Sequence, residues 1–155
     1  MFNMKTLSLF YILSLSFVLV ACSKDKFETT PRIEIKGYNS REIPEPPPGF
    51  DTELVVTLNF FDKQGDIGEG TLYAERKRLN TIGQPQPGNG RPDSYTQPIP
   101  AFTNKDQGEI IFRLRYDDLK DNLLVQDTIQ FRFAVTDRAN NTSDTITTEQ
   151  IVILR

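Results

Sequence analysis

Few side chains in this sequence are equipped for chemistry, and their identities narrow the options quickly. Cys22 is the single cysteine and histidine is absent. One thiol forms no intrachain disulfide, and a chain without histidine lacks the commonest general base and the commonest transition-metal ligand. Ser-His and Cys-His catalysis and a zinc centre are therefore disfavoured. That leaves the thiol and 21 aspartates and glutamates. Carboxylate pairs can hydrolyse glycosides, but no two of these acids are set apart by their surroundings. The expectation is a protein that is not an enzyme and needs no cofactor. Cys22 itself is distinctively placed. It ends a stretch, Leu7 to Val20, that is broken only by Ser8, Ser14 and Ser16 and preceded by Lys5 as the only charge, the layout of an export signal. The stretch falls short of the roughly 20 apolar residues of a membrane helix.

Leu19, Val20, Ala21 and Cys22, directly before Ser23, Lys24 and Asp25, resemble the lipobox of bacterial lipoproteins. The resemblance implies cleavage before Cys22, a diacylglycerol thioether on its sulfur and an acylated new N-terminus. Residues 1–21 are then a signal peptide, 22–31 a lipidated tether and 32–155 the folded domain. Each buried CH₂ of a lipid adds about 0.8 kcal/mol, and two or more chains anchor stably. The implied address is the cell envelope, as an outer-membrane lipoprotein, with the membrane as partner through the N-terminal lipid. Ser23 to Thr30 is polar apart from Phe27 and reaches at most roughly 25–30 Å when extended. The order Cys22 to Glu28 is somewhat similar to the charged export signal of surface-exposed Bacteroidota lipoproteins.

What must be positioned beyond the tether is one domain. Cys22 to Arg155 is 134 residues, enough for one core. Losing Lys5 moves the net charge only from −3 to −4, which argues against a nucleic-acid partner. The dominant hydrophobic period is two: Ile33 and Ile35; Leu54, Val56, Leu58 and Phe60; Leu72 and Ala74; Ile110, Phe112 and Leu114; Ile129, Phe131, Phe133 and Val135; then Ile146 and Ile151 to Leu154. Each set alternates with polar or outward residues, as half-buried strands do. Only Tyr116 to Val125 suits a helical turn. The pattern predicts an all-β, two-sheet β-sandwich of about seven strands, with Phe131 and Phe133 in its core.

Two turns add a second resemblance. Asn59 to Gly68 reads NFFDKQGDIG, and Val135 to Ser143 reads VTDRANNTS. Together they resemble small Ig-like, cadherin-like lipoprotein domains of the Bacteroidota, in which D-x-D-G-D-I-G and D-R-A-G-N turns recur at these places. The resemblance spans Ile33 to Leu154 and implies an immunoglobulin-like sandwich. In such a family the acidic turn can bind calcium, a hard cation that takes six to eight oxygens. The implied ligands are Asp62, Asp66 and Asp137, with Gln64 standing where the family has a further acid. The triplets Asp127-Thr128-Ile129 and Asp144-Thr145-Ile146 resemble the O-glycosylation acceptor of Bacteroidota envelope proteins, at Thr128 and Thr145.

Two connections differ in composition. Pro44 to Gly49 prefers polyproline II and reads as a stiff crossover between the first two strands. Asn80 to Pro100 is rich in proline and glycine, and a loop of that length is often either functional or disordered. Arg91, Asp93 and Tyr95 are its candidate partner contacts. The expected function is a membrane-anchored envelope lipoprotein acting as a non-catalytic structural or protein-interaction module, its partner another envelope protein or a glycan. The alternative is a glycan- or peptide-binding surface protein using the loop 80–100. An exposed Tyr73 or Tyr95 on a concave face would favour ligand binding, and an exposed apolar edge strand would favour assembly with another chain.

Overall fold

A computed structural model describes residues 29–80, 92–102, 105–120 and 126–155. Their strands are β1 (Arg32–Tyr38), β2 (Glu42–Ile43), β3 (Glu53–Phe61), β4 (Thr71–Arg78), β5 (Ser94–Pro98), β6 (Gln107–Arg115), β7 (Asp127–Thr136), β8 (Ile146–Thr147) and β9 (Ile151–Ile153), with one helical turn, α1 (Tyr116–Leu119). One sheet has the order β1-β3-β6. The other has the order β2-β9-β7-β4-β5, with β8 also on β7. All pairings are antiparallel except β2 with β9. The first extended segment is thus shared between the sheets, β1 lying against β3 and β2 against β9. The chain crosses from sheet to sheet at every connection except β4–β5, β7–β8 and β8–β9, as in an immunoglobulin-like sandwich.

The fold class agrees with the expectation, and the strand count exceeds it. The additional strands are short or lack aliphatic residues. β2 and β8 are two residues each, and β5 lies within the segment 80–100 that the composition assigns to a loop. The helical turn falls inside the segment that suits one. The lipobox, Cys22 and Arg91 lie outside the described residues.

Alternation decides which side chains meet. On β3, Leu54, Val56, Leu58 and Phe60 are buried and their neighbours half-buried; on β7, Ile129, Phe131, Phe133 and Val135 are buried. Between the sheets the rings of Phe112, Phe131, Phe133 and Tyr95 pack together. Phe112 of the first sheet lies 5.3 Å from Phe131 and 5.1 Å from Phe133, both near edge-on, and Tyr95 lies 6.0 Å from Phe112 and 6.2 Å from Phe131. Aromatic pairs at such spacings add roughly 0.5–1.5 kcal/mol beyond their buried area. With no disulfide to span the sheets, this cluster is one of the contacts that hold them together. Phe131→Ala and Phe133→Ala should each cost about 3–5 kcal/mol. Urea unfolding of the two variants checks this; losses below about 1 kcal/mol at both positions would contradict that role.

Candidate functional site: the acidic pole

The two acidic turns meet at one end of the sandwich. β3 ends at Phe61 and β4 begins at Thr71, so residues 62–70 cross from the first sheet to the second. Thr71 pairs with Thr136, the last residue of β7, which brings the turn 137–141 alongside. Arg32, at the start of β1, pairs with Phe61. The chain from the N-terminal side therefore enters the domain at this same pole.

Asp62 and Asp137 are 2% and 3% exposed, and each builds its own turn. Asp62 Oδ1 accepts from the Gln64 N–H at 3.1 Å, and Oδ2 accepts from the Ile67 N–H at 2.7 Å. Asp137 Oδ1 accepts from the Asn141 N–H at 2.8 Å, and Oδ2 from the Asn141 side-chain amide at 2.9 Å. These are charge-assisted bonds, roughly twice as strong as neutral ones. The backbone closes the same loops: Gly65 N–H donates to the Asp62 carbonyl, with Gly65 at φ 70°, and Asn140 N–H donates to the Asp137 carbonyl, with Asn140 at φ 67°. Glycine and asparagine are the residues that tolerate such φ values best. The turns are then tied together, the Arg138 N–H donating to the Asp66 carbonyl at 3.2 Å. Their approach is close enough that a Cβ on Gly70 would lie 2.2 Å from the Thr136 carbonyl oxygen.

Asp66 is the acid left over. Its Oδ1 is buried with no hydrogen-bond partner, and burial, then the charge of Asp137, then that of Asp62, push its carboxyl above the ordinary value of 3.8. A hollow of about 300 Å³ beside it is lined by Gly68, Glu69, Phe102 and Arg138. The structure brings the three expected cation ligands to one pole. Four of their oxygens, however, already accept hydrogen bonds within the turns. Among the described residues, no group of three or more histidine, cysteine, aspartate or glutamate side chains is arranged to hold a metal ion.

The other expected contacts have different surroundings. Tyr95 is half-buried on β5, packs against the rings of Phe112 and Phe131, and also lines a groove beside Tyr73. Asp93 is ion-paired with Arg76, at 3.2 Å, and with Arg78. Arg76, which the motif reading passes over, has a fully buried side chain. Its guanidinium donates to the carbonyls of Pro92, Asp118 and Leu119 at 3.1 to 3.3 Å, and so fastens the connection before β5 to α1. Thr145 is exposed and Thr128 half-buried. Thr145 lies beside a shallow groove of about 260 Å³ on the outer face of the second sheet, with Tyr73, Glu75, Thr96 and Arg132.

No family model matches the sequence, and no curated protein matches it. Among solved structures, a β-glucosidase from Kluyveromyces marxianus is 12% identical over 81% of this chain, with a TM-score of 0.38. A β-glucosidase 3B from Thermotoga neapolitana is 12% identical over 80%, with a TM-score of 0.31. A Northeast Structural Genomics Consortium target is 10% identical over 81% of this chain and 86% of its own, at 0.29. The chain spans only 15% and 16% of the two β-glucosidases. Likenesses this weak carry nothing about activity.

The pole generates two expectations for stability. A carboxyl whose folded pKa is raised adds stability that is fully present below its unfolded pKa and is lost as pH rises through the folded pKa. Asp66 therefore works against the fold at neutral pH. Asp66→Asn should raise the melting temperature at pH 7 and remove that loss across the interval above pH 3.8. A lowered midpoint would contradict this, and a calcium-dependent rise in the wild type that Asp66→Asn abolishes would assign the neutralisation to a cation. Asp62→Ala strands the Gln64 and Ile67 N–H groups and should cost about 1–3 kcal/mol per stranded group in urea unfolding. A change within about 0.5 kcal/mol would show that the turn does not depend on it.

Proposed function

We propose that the chain is a lipid-anchored envelope protein whose single immunoglobulin-like domain is a non-catalytic structural or protein-interaction module, similar to the small lipoprotein domains of the Bacteroidota. One observation supports the reading above others: the domain is polar in its layout. The N-terminal side leads into β1 beside the acidic turns. The proline run 44–48, the end of β4 and the last strand, β9, lie at the opposite pole, where Arg78 pairs with Ile129 and Asp127 with Ile153. A lipid on Cys22 turns the acidic pole toward the membrane and presents the proline-rich pole to partners. Buried acids that cap turns also suit a module better than an active site, because their oxygens are committed to backbone donors.

A glycan- or peptide-binding role is the second reading. Tyr73, 44% exposed at the groove beside Arg132 and Thr145, favours it, since aromatic faces stack on ligands. Loss of ligand retention in Tyr73→Ala would move the assignment there. The anchor is tested by metabolic labelling with a fatty-acid probe. The wild type should incorporate the probe and Cys22→Ser should not; equal labelling, or none in either, would overturn the anchored reading.

A further inference from the structure

We propose that the free edge of β6 is a docking surface for a second copy of this chain, two β6 strands pairing antiparallel about a twofold axis through Ile111. The proposal deepens the interaction-module reading and does not depend on lipidation. Sheet edges present unpaired backbone groups that natural proteins usually blunt. Three of the four edges here are blunted. β1 has a register shift between Ile35 and Gly37, β2 spans two residues, and β5 spans five and ends in Pro98. β6 spans nine residues and follows β3 without a shift; among the described residues no strand pairs with its other side.

The direction of the β6 backbone follows from the bonds at its two ends. Tyr116 N–H donates to the Thr52 carbonyl, and Asp62 N–H donates to the Asp106 carbonyl, both in the register that puts Ile111 opposite Thr57. Hydrogen-bonded and non-bonded pairs alternate in an antiparallel ladder. The even-numbered residues of β6 therefore bond to β3, and Gln107, Glu109, Ile111, Arg113 and Arg115 turn their N–H and C=O groups to the open edge. A side-chain bond agrees, since Gln97 Nε2 donates to the Ile111 carbonyl at 3.1 Å. A carbonyl has a second lone pair, so this bond coexists with a strand partner.

The side chains of those same residues are complementary to themselves. Antiparallel pairing about Ile111 sets Glu109 of one copy opposite Arg113 of the other, in both directions, and Gln107 opposite Arg115. At the axis Ile111, one of three large apolar side chains exposed among the described residues, at 43%, meets its own copy. Opposite charges in cross-strand positions stabilise a sheet, whereas like charges destabilise it. Glu109 also pairs with Lys36 at 2.5 Å, and Arg113 with Glu53; all four side chains are exposed, so these contacts rearrange at little cost.

Cysteine cross-linking of the full chain in intact cells tests the register. A hydrogen-bonded antiparallel pair has Cα atoms about 5.5 Å apart, within the span of a disulfide. Glu109 and its own copy are offset by roughly 13 Å along the strand. Ile111→Cys should therefore run as a dimer of two chains on a non-reducing gel, above the level of the wild type, which still carries Cys22. Glu109→Cys and Arg113→Cys should each stay monomeric alone and cross-link when co-expressed. Glu109→Arg should weaken the Ile111→Cys dimer, and Glu109→Arg with Arg113→Glu should restore it. The proposal is overturned by an absent Ile111→Cys dimer, by equal cross-linking at all three positions, or by an adduct whose mass is not two copies. Fatty-acid labelling of the same samples separates the readings: a labelled chain that does not cross-link loses only the dimer, and a cross-linked chain without label loses only the anchor.

Discussion

A sandwich without a disulfide must hold its sheets in place through packing and through the connections that cross between them. Here the most constrained crossing is the acidic pole. Asp62 accepts two backbone N–H groups of the β3–β4 connection and thereby sets Ile67 into the core, fully buried. The β5–β6 connection is bound to the same place: Glu69 N–H donates to Ile99, Ile99 N–H to Gly70, and Asp62 N–H to Asp106. The β7–β8 turn completes it through Asp137 and the bond from Arg138 to Asp66. Three connections thus share one set of hydrogen bonds, of which the bond from the Ile67 N–H to Asp62 is buried. Buried polar groups that are fully satisfied specify one geometry, and an unsatisfied one is expensive. Asp66 Oδ1 is the atom that stays unpartnered.

The opposite pole uses the same device with the sign reversed. Arg76 is buried on β4, and its guanidinium gathers three carbonyls and the Asp93 carboxylate. Tyr116, whose hydroxyl is pushed above its ordinary pKa by burial, donates to the Leu154 carbonyl at 2.9 Å and ties α1 to the end of the chain. Among the described residues, Asp62 and Asp137 at one end and Arg76 and Tyr116 at the other are engaged in fixing connections.

The strands were legible because most are half-buried, and half-burial writes a period of two into the sequence. β5 escaped because Ser94 to Pro98 contains no aliphatic residue and ends in proline, so its composition reads as loop while its pairing with Thr71 to Glu75 makes it strand. Arg76 was missed for a related reason. It continues the inward phase of Leu72 and Ala74, and phase alone placed it inside, but a charge at that position is read as solvated unless its acceptors are known. Those acceptors lie 16 to 43 residues further along the chain. Asp93 looked available for the same reason, its arginine partners being 15 and 17 residues earlier. The convergence of Asp62, Asp66 and Asp137 was anticipated from the turn motifs. That Asp62 and Asp137 accept within their own turns is a local habit of aspartate; that they are buried there depends on tertiary packing.

The central claim is that the acids of this pole are structural, Asp62 and Asp137 bonded to their own turns and Asp66 lying beside them with its Oδ1 unpartnered. Carboxyl-carbon NMR titration of the folded protein, with and without calcium, reads it most directly. The account predicts that Asp66 titrates above the ordinary aspartate value of 3.8 and that its titration is the same with calcium present. An Asp66 that titrates at or below that value, or one whose midpoint falls when calcium is added, would contradict it.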